Sequence, residues 1–163
     1  MLETVIAVLF ITFFFLAAFQ LSLLLTSRIL ADHAAARSAR ARAVGLNEFM
    51  CEKAARVAVI PVAGPQVWPV DNDGADELYR IPMYLASTDW SYANGVLDYE
   101  YWHSMGYTVK ASLGMTPTVE SEVSVPVPRQ LGEGEGEEDR MIRVEGRAEV
   151  EAHFPYYMMD QGL

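Results

Sequence analysis

The sequence predicts an α+β protein, in which a small antiparallel β-sheet packs on the C-terminal half of one long N-terminal α-helix with an apolar first half. Within the first 60 residues, an uncharged and mostly apolar run passes into an alanine- and arginine-rich stretch without Gly or Pro until position 45. Two later segments alternate apolar with polar residues, the period of a half-buried strand. We therefore predict a helix over 1–60 and an acidic, β-rich domain over 61–163.

The apolar run covers residues 4–27, and one carboxylate, Glu3, precedes it. A helix of 24 residues is about 36 Å long, enough to cross a hydrocarbon layer of about 30 Å. The run follows no basic segment and exceeds the usual apolar core of a signal peptide, so we do not expect ordinary signal cleavage. Such a helix needs an apolar host, which is either lipid or other copies of the same helix.

The orientation in a membrane depends on the true start of the chain. If Met1 is that start, the arginines after the apolar run predict a cytoplasmic C-terminal domain. If a basic leader has been removed, the excess of positive charge lies before the apolar run, and the C-terminal domain is predicted to face outward. Both orientations are open at this point.

The helical pattern continues after the apolar run. Ile29, Ala36, Ala43 and Met50 recur every seven residues among many alanines, which have the highest helix propensity. Gly45 is the only mild interruption before Pro61. We therefore predict one helix over residues 2–59, about 85 Å long.

The remaining chain reads as strands and connections. We predict a linker or covering loop over 61–80, a short strand over 83–88, and two strands over 97–103 and 107–113 joined by 104–106. The clearest pattern pairs a strand over 119–127 with one over 142–152. The Gly- and Glu-rich residues 131–139 between them predict a flexible hairpin tip.

Charge and composition exclude some classes of protein. Residues 1–60 carry six basic and four acidic side chains, whereas residues 61–163 carry six basic and eighteen acidic ones. An acidic domain argues against nucleic-acid binding. Cys51 is the only cysteine, so an internal disulfide is impossible, and we predict a buried thiol.

A resemblance follows from Glu3, the unbroken apolar helix and the segment Arg28-Ile-Leu-Ala-Asp-His-Ala-Ala-Ala-Arg-Ser-Ala-Arg-Ala-Arg-Ala-Val44. Together they resemble the N-terminus of type IV pilin-like proteins, most closely the TadE-like proteins of tight-adherence pili. The match covers roughly residues 1–45. One departure is that the family's glutamate is typically the fifth mature residue, whereas here it is the third.

The resemblance implies a structural subunit of an extracellular pilus-like filament, and a role in cell adhesion or secretion. Such subunits are inserted in the cytoplasmic membrane, cut by a prepilin peptidase, and polymerised by a pilus-assembly machinery. The residues independently allow Glu3 to pair with the α-amino group of Met1 in a neighbouring copy, which would set the register. Capping of the helix N-terminus by Glu3 is the alternative.

Five further polar residues are candidates for assembly contacts: Gln20, Arg28, Arg37, Arg40 and Arg42. Gln20 lies in the apolar run, where a hydrogen bond to another subunit and an ordinary local bond are equally plausible. The arginines fit a collar at the lipid headgroups, pairing with acids of neighbouring subunits, or a plain solvated face.

No catalytic or cofactor-binding residues are predicted. Asp71, Asp73 and Asp76 form a weak calcium candidate because the segment lacks the order of an EF-hand. His33 and the other two histidines show neither metal-ligand spacing nor a neighbouring nucleophile, so we do not predict an enzyme. The aromatic residues of 90–107 are interpreted mainly as core.

The alternative function is a single-pass, membrane-anchored binding module outside the cytoplasm, or a minor pilus-assembly component.

Overall fold

The computed structural model describes residues 2–68, 77–87, 97–112, 118–129 and 141–152. It confirms the predicted fold class, a long apolar N-terminal helix with small antiparallel sheets packed on it. The helices are α1 (Leu2–Ala43), α2 (Glu48–Val59) and α3 (Glu77–Ala86). The strands are β1 (Gln66–Trp68), β2 (Asp98–Tyr99), β3 (Gly106–Ser112), β4 (Thr118–Pro128) and β5 (Met141–Glu151). Short 3₁₀ helices cover Ile60–Val62 and Trp102–Ser104.

The prediction of one helix over 2–59 is wrong, because the chain turns between α1 and α2. Gly45 has a φ of 91° and ends α1. The N–H of Leu46 donates to the carbonyl of Ala41 and that of Gly45 to Arg42, which is a Schellman motif. Asn47 then caps α2, its side chain accepting the N–H of Met50 at 2.8 Å. The sequence carried both signals, a glycine after α1 and an asparagine before α2.

The turn folds α2 back onto α1, and alanines line the contact. Ala31, Ala34 and Ala35 of α1 form one core cluster with Ala55 of α2 and Val123 of β4. Small side chains allow the two helices and the sheet to approach closely. The alanine-rich segment is therefore a packing surface within the chain.

The main sheet is an antiparallel meander with the strand order β3-β4-β5. The predicted pairing of the last two strands is confirmed, with Val119 opposite Val150 and Val125 opposite Val144. Valines of β4 are buried against α1, as the alternation predicts. Pro126 lies in the part of β4 beyond Ser124, where the β3 pairing has ended and β4 pairs only with β5, opposite Arg143.

Three local predictions between residues 61 and 113 need correction. The expected linker contains β1, which pairs with the short β2. The strand expected over 83–88 is wrong, since Met83 to Ala86 end α3. The strand expected over 97–103 shrinks to β2 and is followed by a 3₁₀ turn. Short apolar runs do not distinguish strand from helix, and here tertiary packing decided.

An aromatic cluster holds α2, α3 and β2 together. Trp102 is 2% exposed, and its ring centroid lies 4.8 Å from that of Tyr99 and 5.9 Å from that of Tyr84. The guanidinium of Arg56 stacks 5.2 Å from the Trp102 ring. The core interpretation is thus confirmed for Trp102, although the cluster lies beside the main sheet. Trp90 and Tyr92 fall outside the described residues.

Burial of Tyr84 predicts a loss of stability at high pH. Burial raises the pKa of its phenol from 10.0 to about 12, so the folded state holds the proton more tightly than the unfolded chain. The stabilisation that results from the buried, protonated phenol is complete below pH 10 and is lost between pH 10 and 12. The free energy of unfolding changes by roughly 2 to 3 kcal/mol over this range. Urea unfolding of the detergent-solubilised chain from pH 8 to 12 should therefore show a shallower decline for Tyr84→Phe than for the native chain. Equal declines in the free energy of unfolding for the two proteins would show that Tyr84 is not the group responsible for the loss of stability.

Candidate membrane and assembly interface

The first half of α1 stands clear of the domain. Every residue of 2–19 is exposed except the half-buried Ala17, and Ile11 and Phe14 each have 68% of their surface accessible. We call residues 2–19 the apolar segment. Eighteen helical residues extend about 27 Å, close to the thickness of a bilayer's hydrocarbon core. Among the described residues, α1 is the one helix long and apolar enough to cross a membrane.

Gln20 marks the boundary between the apolar segment and the domain. It is the first buried residue of α1, and its Nε2 donates to the carbonyl oxygen of Pro128 at 3.3 Å. The C-terminal end of β4 therefore lies beside the helix at this height. The predicted role of Gln20 in bonding another subunit remains untested, but its side chain already serves a contact within the chain.

The helical threonines satisfy their own hydroxyl groups. Thr12 Oγ1 donates to the carbonyl of Val8 at 2.9 Å, and Thr26 Oγ1 donates to that of Ser22 at the same distance. These local bonds suit an apolar host because the Thr12 and Thr26 hydroxyl donors then need no solvent partner.

Glu3 lies exposed in the first turn of α1, next to the most accessible part of the apolar segment. A carboxylate here is favourably placed near the positive end of the helix dipole. Met1 lies outside the described residues. Both the pairing and the capping interpretation of Glu3 remain predictions.

The arginines have separate environments. Arg28 Nε contacts Asp32 Oδ2 at 3.3 Å, one turn further along α1. Arg42 Nη1 donates to the carbonyl of Leu46 at 3.3 Å, which ties down the turn after α1. Arg37 and Arg40 are exposed on the side of α1 that faces away from the sheet. The structure therefore places Arg28 and Arg42 in local contacts and leaves Arg37 and Arg40 available to solvent.

The predicted calcium site and the histidines lie in different parts of the chain. Asp71, Asp73 and Asp76 fall outside the described residues, as does His153. Within the described ranges, no group of three or more His, Cys, Asp or Glu side chains is arranged to hold a metal ion. His33 is exposed, and His103 Nε2 lies 3.4 Å from Asp98 Oδ2 on the surface.

The predicted burial of Cys51 is confirmed. The residue is 1% exposed, and its Sγ lies 3.7 Å from the carbonyl oxygen of Leu46. Burial raises the pKa of the thiol above its usual value, which keeps it protonated and unreactive. Nearby, the hydroxyl groups of Ser38 and Tyr107 are 2.8 Å apart and link α1 to β3.

Lys53 is a structural residue that sequence reasoning missed. It is 4% exposed, and its Nζ donates to the carbonyls of Leu85 and Ser87, both at 2.8 Å, and to Ser87 Oγ at 3.1 Å. These oxygens lie at the C-terminal end of α3, where a positive charge is favoured. Burial lowers the pKa of the ammonium group. Lys53 thereby fixes α3 on α2, and its place in an otherwise alanine-rich helix gave no sign of this.

Gly146 is the second residue that was missed. It faces inward on β5, where a Cβ atom would lie 2.1 Å from the carbonyl carbon of Ala31 and 2.4 Å from the amide nitrogen of Asp32. The strand backbone therefore touches the helix backbone. One Asp32 carboxylate oxygen also accepts the N–H of Arg147 at 3.2 Å. The usable signal was a glycine at an inward position of an alternating strand.

Comparison with known proteins adds no relative. No family model, no curated protein and no solved structure matches the chain.

Proposed function

We propose that this chain is a structural subunit of an extracellular, pilus-like filament, polymerising through its apolar segment and inserted in the cytoplasmic membrane before assembly. The observation that carries the proposal is the division of α1: residues 2–19 are exposed apart from Ala17 and apolar apart from Glu3, Thr4 and Thr12, whereas the chain's own sheet and α2 cover one side of its second half. Burying the apolar segment removes a large hydrophobic surface from water. The N-terminal resemblance to TadE-like pilin proteins supports the same assignment.

The exposed apolar side of α1 is longer than a bilayer requires. On the side away from the hairpin it continues past Gln20 through Leu21, Leu25 and Ile29, each more than half exposed. From residue 2 to Ile29 the helix rises about 42 Å, compared with about 30 Å of hydrocarbon. Helices of other copies provide an apolar host for the whole length, which favours bundling over insertion alone.

In a second candidate function, the apolar segment stays in the bilayer permanently. The 27 Å length of the apolar segment estimated above favours it, since that length matches a single membrane crossing. The chain would then be an anchored extracytoplasmic module, or a minor assembly component, whose domain binds a partner. The two functions differ in one respect, which is whether copies contact one another along α1.

Electron microscopy of material sheared from the cell surface, with mass spectrometry of its subunits, tests the proposal. We expect filaments that contain this chain. Recovery of the chain only from the membrane fraction, with no filaments, would favour the anchored module. The same mass spectra would identify the mature N-terminus.

Glu3→Ala separates register setting from helix capping. We expect the variant to remain membrane-inserted while its yield in filaments falls by about tenfold or more, because a neighbour's cationic group would lose its partner in an apolar bundle. Glu48→Ala is the matched control, since Glu48 is also an exposed acid in a helix first turn, that of α2, and lies outside the apolar segment. Fibre yield is measured by quantitative immunoblotting of sheared material. If Glu3→Ala assembles as well as Glu48→Ala, the pairing role is wrong.

A further inference from the structure

The domain carries opposite charges on opposite sides. On α1, Arg37 and Arg40 are exposed one turn apart, and we call them the arginine stripe. On the outer face of the sheet, Glu120, Glu149 and Glu151 are exposed, and we call them the acidic face. The inner face of the same sheet packs on α1, so the stripe and the acidic face look away from each other.

The stripe and the acidic face lie at the same height along α1. Ala39, between the two arginines, packs against Val119 and Ala152. Because neighbouring residues of a strand point to opposite faces, Glu120 beside Val119 and Glu151 beside Ala152 project outward at this level. A second copy shifted sideways, without sliding along the helix, would therefore bring its stripe opposite the acidic face.

The acidic face holds like charges close together. Glu120 and Glu149 are direct cross-strand partners, an arrangement that is unfavourable without a nearby cation. Lys110 is opposite Glu120 on the β3 side in backbone register, whereas Glu149 and Glu151 lie on the edge strand β5, on the other side of β4. Further along, Arg147 already pairs with Glu122 at 2.8 Å and Glu145 at 3.3 Å. The excess negative charge is thus concentrated at one end of the sheet.

The surface around these acids is concave. A depression of about 470 Å³ lies between the three strands of the sheet and is lined by Thr108, Glu120, Glu122, Arg147 and Glu149, with Ser121 and Ala148 at its base. Arginine has a long side chain whose guanidinium group binds carboxylates in a fork geometry. Arg147 is paired with Glu122 and Glu145, so Glu120 and Glu149 are the carboxylates of this depression that are complementary in charge to the stripe of another copy.

We propose that the acidic face binds the arginine stripe of a second copy of this chain. The two surfaces differ, so the contact is head-to-tail and leaves one free surface of each kind at the ends of every oligomer. Repetition of the contact extends the assembly. This inference rests on the proposed filament function, and it names the lateral contact between domains that would accompany the bundling of the apolar segments.

Reciprocal charge reversal tests the contact. The double variant Arg37→Glu/Arg40→Glu carries acids on both surfaces, and Glu149→Lys/Glu151→Lys carries an excess of bases on both. We expect each alone to lower the polymerised fraction of detergent-diluted full-length chain by about tenfold at 0.05 M salt, and less at higher salt, because exposed charges are screened. Sedimentation and negative-stain microscopy measure that fraction, and circular dichroism checks folding.

Two rescues make the experiment specific to pairing. A mixture of the two double variants should polymerise, because the two acidic surfaces of one variant attract the two basic surfaces of the other. The fourfold variant, which combines all four changes, keeps the native net charge and should also polymerise. Failure of both rescues with folded proteins would overturn the contact, as would unchanged assembly of either double variant.

The outcomes also separate this contact from the filament proposal. If the native chain forms filaments and both double variants do so equally, the filament proposal stands and the contact is wrong. If the native chain forms no filaments but shows salt-sensitive oligomers that the reversals abolish and the mixture restores, the contact stands and the filament proposal fails. Absence of any self-association would overturn both.

Discussion

Gly146→Ala should lower the free energy of unfolding by about 3 kcal/mol, at the upper end of the range for overpacked cores. The new Cβ would lie 2.1 Å from the Ala31 carbonyl carbon and 2.3 Å from its oxygen. These are backbone atoms and cannot rotate away, so β5 must withdraw from α1. Withdrawal would also break the hydrogen bond from the Arg147 N–H to Asp32. Urea unfolding of the full chain in detergent, followed by circular dichroism, measures the loss.

Gly106→Ala is the matched control for Gly146→Ala. Gly106 also lies in a strand of the same sheet, but a Cβ there would meet only Ser124 Cβ, at 3.4 Å. The substitution reduces the freedom of the unfolded chain, so we expect no loss beyond a few tenths of a kcal/mol. If the two variants unfold at the same urea concentration, the close approach of β5 to α1 is not what requires glycine at 146.

Ile11→Arg should reduce partition into vesicles of phosphatidylcholine, a zwitterionic lipid with no net charge, by about a hundredfold. Ile11 lies near the middle of the apolar segment, and a central arginine costs about 2.5 to 3.5 kcal/mol on insertion. A lipid with no net charge removes electrostatic attraction, so the measured change reports the apolar host alone. The partition coefficient is measured by titrating vesicles against the purified chain and separating them by flotation.

Ile29→Arg provides the comparison, because Ile29 is exposed to the same extent as Ile11, 68% in each case. Ile29 lies nine residues beyond Gln20, where the domain flanks the helix, so we expect its partition coefficient to change by less than about threefold. Equal losses for the two variants would show that insertion extends past the domain boundary. No loss for either would show that the apolar segment does not enter the bilayer.

The periodicity of apolar residues along the sequence was sufficient to predict much of the fold. The alternation of Val119 to Val127 predicted β4, and the matching residues predicted β5 and its pairing. The apolar run predicted the first half of α1. These signals are reliable because a single buried face imposes its period directly on the residues of one element.

Predictions failed where distant residues decide the local structure. Met83, Tyr84 and Leu85 fit a strand as well as a helix, and α3 is held by Lys53 and by the packing of Tyr84 on Trp102. The break at Gly45 was underestimated because a glycine inside a helical pattern is often tolerated. The Schellman bonds and the Asn47 cap show that this glycine ends α1.

For the candidate interface, the amino-acid sequence alone determined that the chain has a helix requiring an apolar host, since length and hydrophobicity are properties of consecutive residues. Only the tertiary structure decided where that requirement ends. Gln20 becomes a boundary because Pro128, more than a hundred residues away, reaches it. The placement of Arg37 and Arg40 opposite the acidic face likewise depends on which side of α1 the sheet covers. Both features arise from packing between elements that are distant in sequence, and the periodicity of residues within one element does not determine such packing.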